Sequence, residues 1–207
     1  MAEIGLRERK KARTRRAIAD AAARLFAERG YEQVAVSDVA REAEVSEQTV
    51  YNYFQTKEQL VTDLDQPIRD ELCRLIRTRT SATTPAAAIR DLVLDSVEGI
   101  RRYSPAQWRG ELGYLAAISP AVHRLALEMS DRQANAIADA IIETSAVRPE
   151  IAKLQGIALA GIFQIVVSES GKRTLDGQSQ EQIADDLQPA IEAALDDLDR
   201  WMAATAS

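Results

Sequence analysis

The sequence has few of the residues that bind transition metals or cross-link small domains. Cys73 is the single cysteine and His123 the single histidine among 207 residues. One cysteine excludes an internal disulfide and a cysteine-based zinc site, and the lone histidine leaves no cluster of soft metal ligands. We therefore expect neither a metal nor a cofactor.

Glycine, proline and aromatic residues are also scarce. The chain has nine glycines, six prolines and 5% aromatic residues, while 46% of its residues are hydrophobic. This composition excludes collagen-like and Pro/Gly-rich disordered chains. It is rich in alanine and other strong helix formers, and neither strand-like alternation nor an internal repeat is found. The sequence predicts an all-α protein.

Long hydrophobic runs are missing as well. The longest charge-free apolar run, residues 156–167, has 12 residues, whereas a transmembrane helix needs about 20. This run is interpreted as part of a buried core helix. The N-terminus carries no apolar run followed by a cleavage site, so it does not resemble a secretory signal. We expect a cytoplasmic protein that does not enter a membrane.

Charge is distributed unevenly along the chain. The formal net charge is −6, yet residues 1–16 carry +5, residues 17–60 carry −4 and residues 61–207 carry −7. Affinity for DNA depends on local charge at the phosphates rather than on the total. The basic N-terminal tract is therefore either a phosphate-binding arm or a solvated tail.

The first 60 residues have the pattern of a helix-turn-helix. Helical periodicity predicts helices over residues 9–29, 36–43 and 47–54, with Gly30 ending the first and Ser46 capping the third. The two short helices are joined by a turn of about four residues. Such a unit can place its second short helix in the DNA major groove.

The remaining helices are predicted from apolar periodicity and from prolines at helix starts. A fourth helix is expected from about Thr56 to Ile76, with Pro67 either bending it or marking a new start. Residues 78–84 are the candidate linker. Further helices are expected over residues 85–103, 105–118, 120–145, 148–172 and 180–204.

Residues 51–60 have the spacing YxYFxxKExL, which begins at Tyr51 and ends at Leu60. With this spacing as the most specific part, residues 14–60 resemble the N-terminal DNA-binding domain of TetR-family transcriptional regulators. The resemblance implies a DNA-binding domain over residues 1–60 and an effector-binding and dimerisation domain over residues 61–207. It also implies a ligand-responsive regulator, not an enzyme.

The resemblance assigns DNA contacts to particular positions. Gln48 can pair with adenine and Thr49 can contact a thymine methyl group, while Lys57, at the start of the fourth helix, would meet a phosphate. The candidate DNA-binding residues are Arg13, Ser37, Glu47, Gln48, Thr49, Tyr51, Asn52, Tyr53 and Lys57.

Two positions depart from the family pattern. Val34 and Ala35 stand where the family usually has a Thr or Ser before the second helix, so Ser37 is the candidate to take over that phosphate contact. Glu44 stands where the family usually has glycine in the turn. It must either adopt a left-handed conformation at a cost of roughly 1 kcal/mol or shift the turn.

The C-terminal part is expected to dimerise and to bind a small molecule. An apolar stripe through Ile183, Leu187, Ile191 and Leu195, together with the apolar preceding helix, predicts a homodimer through residues 148–172 and 180–204. The same stripe would also suit a monomeric core. Cationic and aromatic residues of the middle helices suit an anionic amphiphile; the candidates are Arg101, Tyr103, Trp108, Arg109, Tyr114 and Phe163.

The leading interpretation is a repressor that a small-molecule effector releases from a palindromic double-stranded DNA operator. A helical protein-interaction scaffold is the first alternative, but it leaves the basic tract unexplained. A small helical enzyme is the second, although the sequence has no nucleophile elbow, P-loop or metal motif.

Overall fold

The computed structural model describes residues 5–63 and 65–205, and these residues form a helical protein with no strand. The predicted all-α class is confirmed for this part of the chain. Two short 3-10 turns, Glu58–Leu60 and Ile100–Arg102, join longer helices. The α-helices are α1 Leu6–Arg29, α2 Val36–Glu42, α3 Glu47–Tyr53, α4 Asp65–Thr78, α5 Pro85–Gly99, α6 Pro105–Trp108, α7 Leu112–Ile118, α8 Pro120–Thr144, α9 Pro149–Leu175 and α10 Gln180–Thr205.

The first three helices pack around a small core of their own. Ile18, Leu25 and Phe26 of α1 are buried together with Val39 of α2 and Val50 of α3. These positions repeat at helical spacing, so each short helix buries one face against its neighbours. Neither α2 nor α3 is long enough to be stable alone, and this shared core holds both in place.

The larger core is built by α4, α5, α8, α9 and α10. The helices α8 and α9 lie antiparallel and very close, because a Cβ atom on Gly156 would fall 2.3 Å from the backbone oxygen of Ala134. At the other end of α9, a Cβ on Gly171 would fall 1.9 Å from the backbone oxygen of Gly113 in α7. Glycines therefore set how closely α8 and α7 approach α9.

The predicted dimer stripe of the last helix lies inside the protomer instead. Ile183, Leu187, Ile191 and Leu195 are at most 2% exposed, because this face of α10 packs on α5 and α9. The stripe is the internal core of one chain. This part of the sequence interpretation was wrong: helical periodicity shows that a face is buried but does not say against what.

Two predicted helices have different bounds from those expected. The fourth helix does not begin near Thr56; a 3-10 turn comes first and α4 starts at Asp65, which places Pro67 in its first turn, where proline is tolerated. The expected helix over residues 105–118 is broken into α6 and α7. The break is at Gly110, whose Cα lies so near α1 that a Cβ would be 2.3 Å from the backbone oxygen of Ala23.

The break brings the middle of the chain against the N-terminal core. Leu115 of α7 and Val122 of α8 are both 0% exposed and belong to the same cluster as Ile18 and Phe26 of α1. One face of α7 therefore completes the core of the first three helices. Any movement of α7 or of the start of α8 therefore changes the packing of that core.

One described helix, α9, has the length and apolar composition to cross a membrane. Of its most apolar 18-residue window, 44% is buried within the protein. Leu154, Ile157 and Ile165 are exposed on another face, at 53%, 60% and 47%. A helix half-buried in a bundle passes the same test of length and composition, so this helix is weak evidence for a membrane span.

Candidate nucleic-acid interface

The turn between α2 and α3 has the geometry of a helix-turn-helix. Glu44 has a φ of 55°, the left-handed conformation that was one of its two expected outcomes. The next residue closes the turn, because the Val45 amide donates a hydrogen bond to the Ala40 carbonyl at 2.9 Å. The Ser46 hydroxyl accepts from the Thr49 amide at 3.1 Å, so the predicted N-cap of α3 is confirmed.

The start of α2 has no Thr or Ser to cap it, and Asp38 in its first turn takes part in the capping instead. The Asp38 carboxylate accepts a hydrogen bond from the Ala35 amide at 3.0 Å. That bond lowers the pKa of the Asp38 carboxyl below its usual range. Ser37 is exposed beside it. Its hydroxyl is therefore accessible at the position where a phosphate contact is expected.

The outward face of α3 is polar and exposed. Glu47, Gln48, Tyr51 and Asn52 all lie on it, and the Tyr51 side chain is 44% exposed. The Gln48 side-chain nitrogen donates to the Asn52 side-chain oxygen at 3.2 Å, so the two amides stand side by side one turn apart. Together they offer free amide donors and acceptors of the kind that recognise base edges.

Two other predicted contact residues are partly committed to the fold. The Thr49 hydroxyl is half-buried and lies 2.8 Å from the Ser46 hydroxyl. Tyr53 is half-buried against the N-terminal core, and its carbonyl accepts a hydrogen bond from Arg15 at 2.8 Å. The structure therefore separates the predicted set into an exposed group and a group at the edge of the core.

Lys57 lies beside an aromatic ring rather than at the end of a long helix. Its ammonium nitrogen is 4.2 Å from the centre of the Tyr31 ring, and partial burial lowers the pKa of Lys57. The expectation that Lys57 begins the fourth helix is wrong, because only a three-residue 3-10 turn follows it. A phosphate contact at Lys57 would use its charge and not a helix dipole.

The basic N-terminal tract is helical where the structure describes it. Helix α1 begins at Leu6 and not near Arg9, so Lys10, Lys11 and the predicted contact Arg13 stand exposed on its first turns. Residues 1–4 of the predicted arm lie outside the described residues. The regular helix fixes the spacing of these cations, whereas a disordered tail would not.

Arg15 has a structural role that sequence reasoning missed. Its guanidinium donates to Asp63 at 2.8 Å, and its central carbon lies 4.5 Å from the centre of the Phe54 ring. These contacts tie α1 to the end of α3 and to the segment before α4. The two residues of the ion pair are 48 positions apart, so no local pattern identifies them as partners.

The six candidate ligand residues do not converge on one cavity. Arg101 ties α5 to α10, since it donates to Glu98 at 2.8 Å and to Asp185 at 2.6 Å. The ring centres of Tyr103 and Trp108 lie 5.2 Å apart in an edge-to-face contact, and Phe163 is buried in the larger core. Tyr114 packs on the N-terminal core, and Arg109 is exposed.

The comparisons with known proteins agree with this geometry. Residues 18–64 match the family model of bacterial regulatory proteins, tetR family. No curated protein sequence matches the chain. The matched segment runs from α1 to the residue before α4, and it contains the whole helix-turn-helix.

Solved structures extend the similarity to most of the chain. A TetR-family transcriptional regulator from Mesorhizobium loti is 20% identical, with a TM-score of 0.51 over 89% of this chain and 96% of that one. NalD, the secondary repressor of the MexAB-OprM multidrug efflux pump in Pseudomonas aeruginosa, is 19% identical, with a TM-score of 0.54 over 88% of this chain and 97% of that one. At these identities the similarity establishes the fold.

The capped turn, the exposed polar helix and the surrounding core define a helix-turn-helix unit. Residues 18–64, which contain it, match the model of the tetR family of bacterial regulatory proteins, and the chain has the fold of TetR-family regulators.

Proposed function

We propose that the protein is a dimeric repressor that binds an inverted-repeat DNA operator in the cytoplasm and is released by a small-molecule effector. The observation that carries the proposal is the outward face of α3. Four polar or aromatic side chains stand exposed on a helix whose start is capped by Ser46 and whose inner face is fixed by Val50. Among residues 5–63 and 65–205, the hydrogen bond between Gln48 and Asn52 is the only side-chain hydrogen bond or ion pair that these four side chains make.

Charge supports binding to DNA at the same end of the molecule. The exposed Lys10, Lys11 and Arg13 lie on α1, in the segment with a net charge of +5, although the chain as a whole is acidic. Phosphate contacts position a protein on the duplex, while base-edge contacts select the sequence. In this proposal α1 supplies the first kind of contact, and Gln48, Tyr51 and their neighbours supply the second.

Dimerisation is supported by an exposed apolar face on α9. Leu154, Ile157 and Ile165 are close to half exposed or more, which is costly for a lone protomer in water. The adjoining helix α10 exposes Pro189 and Ala193. We infer that these faces of the two helices form the two-fold interface. The interface then uses the two helices that the sequence predicted, but α10 contributes its exposed face and not the buried stripe.

A repressor role is consistent with the fold neighbour NalD, which is itself a repressor. Effector release requires only that the ligand prefer the conformation with low DNA affinity. A preference of about 1.4 kcal/mol weakens DNA binding about tenfold, and DNA must then weaken ligand binding equally.

The test of this function is a selection of DNA from random fragments with the purified full-length protein. We expect selected sites with a dyad and a half-site separation of about 34–36 Å or a related spacing. Gln48→Ala and Tyr51→Ala should lose preference for the selected site while helicity measured by circular dichroism is unchanged. Each good base contact contributes about 1–3 kcal/mol of discrimination.

Asn135→Ala is the matched control, because Asn135 is an exposed amide on α8, outside the helix-turn-helix. It should keep full sequence preference. If Gln48→Ala and Tyr51→Ala both discriminate as well as the unaltered protein, α3 does not read the bases. If no DNA is selected at all, the proposed function fails.

A further inference from the structure

A surface groove lies where α7, the first turn of α8 and the last turns of α9 meet. Its volume is about 660 Å³, which is within the range of small-molecule sites. Ala117, Ile118, Val167 and Leu175 give it apolar walls. The walls are fixed in position because Gly113 and Gly171 bring the α7 and α9 backbones into direct contact. None of the six candidate ligand residues lines this groove.

The polar side chains at the groove are cationic or neutral. His123, Arg124 and Lys172 line it, and its lining includes neither an aspartate nor a glutamate. This is unusual for its surroundings, because residues 61–207 contain 22 acidic and 15 basic side chains. The groove therefore combines apolar walls with positive charge in an otherwise acidic part of the molecule.

The two full charges at the groove are also not neutralised by the protein. Among residues 5–63 and 65–205, neither Arg124 nor Lys172 has a side-chain hydrogen bond or an ion pair. The next residue, Arg173, differs: it pairs with Glu169 at 3.5 Å and with Asp186 at 3.1 Å. Charge complementarity thus favours an anionic occupant at Arg124 and Lys172.

The groove is connected to the helix-turn-helix by one buried residue. Ser119 lines the groove, is 2% exposed and caps α8 by accepting from the Val122 amide at 3.2 Å. Its hydroxyl also donates a hydrogen bond to Glu32, in the loop between α1 and α2. That bond is the main cause that lowers the pKa of Glu32, and Lys57 adds electrostatic attraction to the same carboxylate.

We propose that this groove binds a small anionic amphiphile, with its apolar part against α7 and α9 and its acidic group at Arg124 and Lys172. Occupancy is transmitted to the DNA-binding domain through Ser119 and Glu32. The inference deepens the proposed function, on which it rests, by assigning the effector its site and its chemical class.

The physical reason for the coupling is that the groove and the N-terminal core share elements. Ile118 faces the groove, whereas Leu115 on the same short helix is buried among α1–α3 residues. A ligand that displaces α7 or the first turn of α8 must therefore shift the Leu115 packing or the Ser119–Glu32 bond. Either change moves the loop that precedes α2 relative to Lys57.

The probe for the site is 1-anilinonaphthalene-8-sulfonate, a fluorescent anionic amphiphile, and its uncharged counterpart is N-phenyl-1-naphthylamine. We expect the full-length protein to bind the sulfonate saturably. Arg124→Gln combined with Lys172→Gln should weaken it about tenfold, since two charge-assisted contacts are lost, and should leave the uncharged dye unaffected. Arg148→Gln combined with Lys153→Gln removes the same charge from the other end of α9 and should change the affinity for neither dye.

Ala117→Trp distinguishes a small-molecule occupant of the groove from a second copy of the chain, because the new side chain fills the groove without changing its charge. The variant should lose binding of the sulfonate and remain a dimer in sedimentation velocity. A monomeric Ala117→Trp would show that a second copy of the chain covers the groove and would overturn the proposal. Equal sulfonate affinity in the unaltered protein and the Arg124/Lys172 variant would overturn it as well.

The coupling is tested by measuring affinity for the selected DNA with and without saturating sulfonate. In the unaltered protein the sulfonate should lower DNA affinity. In Glu32→Ala, which removes the partner of Ser119 from outside the groove lining, the sulfonate should bind as before but change DNA affinity less. An equal effect in both proteins, or no effect in the unaltered one, overturns the coupling. Binding of sulfonate without any DNA binding would instead reject the proposed function and leave the groove as a ligand site.

Discussion

At the scale of single residues, the junction between α1 and α7 contains an acidic side chain in an unfavourable position. Glu111 stands at the N-cap position of α7 without capping it through its side chain. Burial, together with the nearby carboxylate of Asp20 on α1, raises the pKa of Glu111 to about 7. The folded protein therefore favours the protonated form of Glu111 relative to the unfolded chain.

This pKa predicts how stability depends on pH. Glu111 has a higher pKa when folded, so its contribution is constant below about pH 4.5 and is lost as the pH rises to about 7. Glu111→Gln should remove this loss and raise the free energy of unfolding at pH 7.5 by about 3 kcal/mol. Urea denaturation at pH 5.0 and pH 7.5 measures the effect.

Glu128→Gln is the control for the pH prediction, because Glu128 lies on the α8 surface, 4.0 Å from Arg132, with 63% of its side chain exposed. It should leave the pH dependence of stability unchanged. An identical pH dependence in Glu111→Gln and the unaltered protein would show that Glu111 titrates normally.

At the scale of elements, α1 has two roles at different points along its length. Its second half is core, through Ile18 and Phe26, whereas its first turns carry exposed cations. Arg15 lies between the two parts and joins α1 to Asp63 and to the Tyr53 carbonyl. The cationic first turns are thus held rigidly relative to α3.

Replacing two of these cations should weaken DNA binding without changing its sequence preference. Each phosphate contact contributes about 0.9 to the slope of log affinity against log salt concentration, so Lys10→Gln with Lys11→Gln should reduce that slope by up to about 2. Affinity should fall equally on selected and random DNA, measured by titration at several salt concentrations. If Lys10 and Lys11 make no phosphate contact, the salt slope of the double variant will match that of the Lys153→Gln control.

At the scale of the whole molecule, the proposed dimer would join two DNA-reading helices. A two-fold dimer presents two copies of α3, and their separation fixes the spacing of the operator half-sites. The proposed arrangement depends on the apolar face of α9 formed by the exposed Leu154, Ile157 and Ile165. The stripe of α10 cannot supply it, since Leu195 is 1% exposed within one protomer.

Ile157→Asp should therefore give a folded monomer that binds the full operator more weakly. Ile157 is 60% exposed, so the charge enters water in the monomer but would be buried in the dimer. Sedimentation velocity and operator titration test the two consequences. Leu127→Asp, at a 48% exposed position on α8 outside this face, should stay dimeric; a dimeric Ile157→Asp would place the interface elsewhere.

The sequence by itself determined the helix-turn-helix closely. Helix α3 begins at Glu47 as predicted, because the Ser46 cap acts within three residues, and α1 ends at Arg29 because Gly30 supplies a positive φ of 80°. The exposed positions Gln48, Tyr51 and Asn52 also followed from helical periodicity alone. Signals that act over a few residues can be recognised without knowing the rest of the fold.

Tertiary structure decided which residues meet across long stretches of chain. The burial of Leu195 within the protomer, the break of the expected helix at Gly110 against Ala23, and the bond between Ser119 and Glu32 all join segments far apart in sequence. Periodicity indicates which face of a helix is buried, but the partner that covers it depends on the packing of the whole chain.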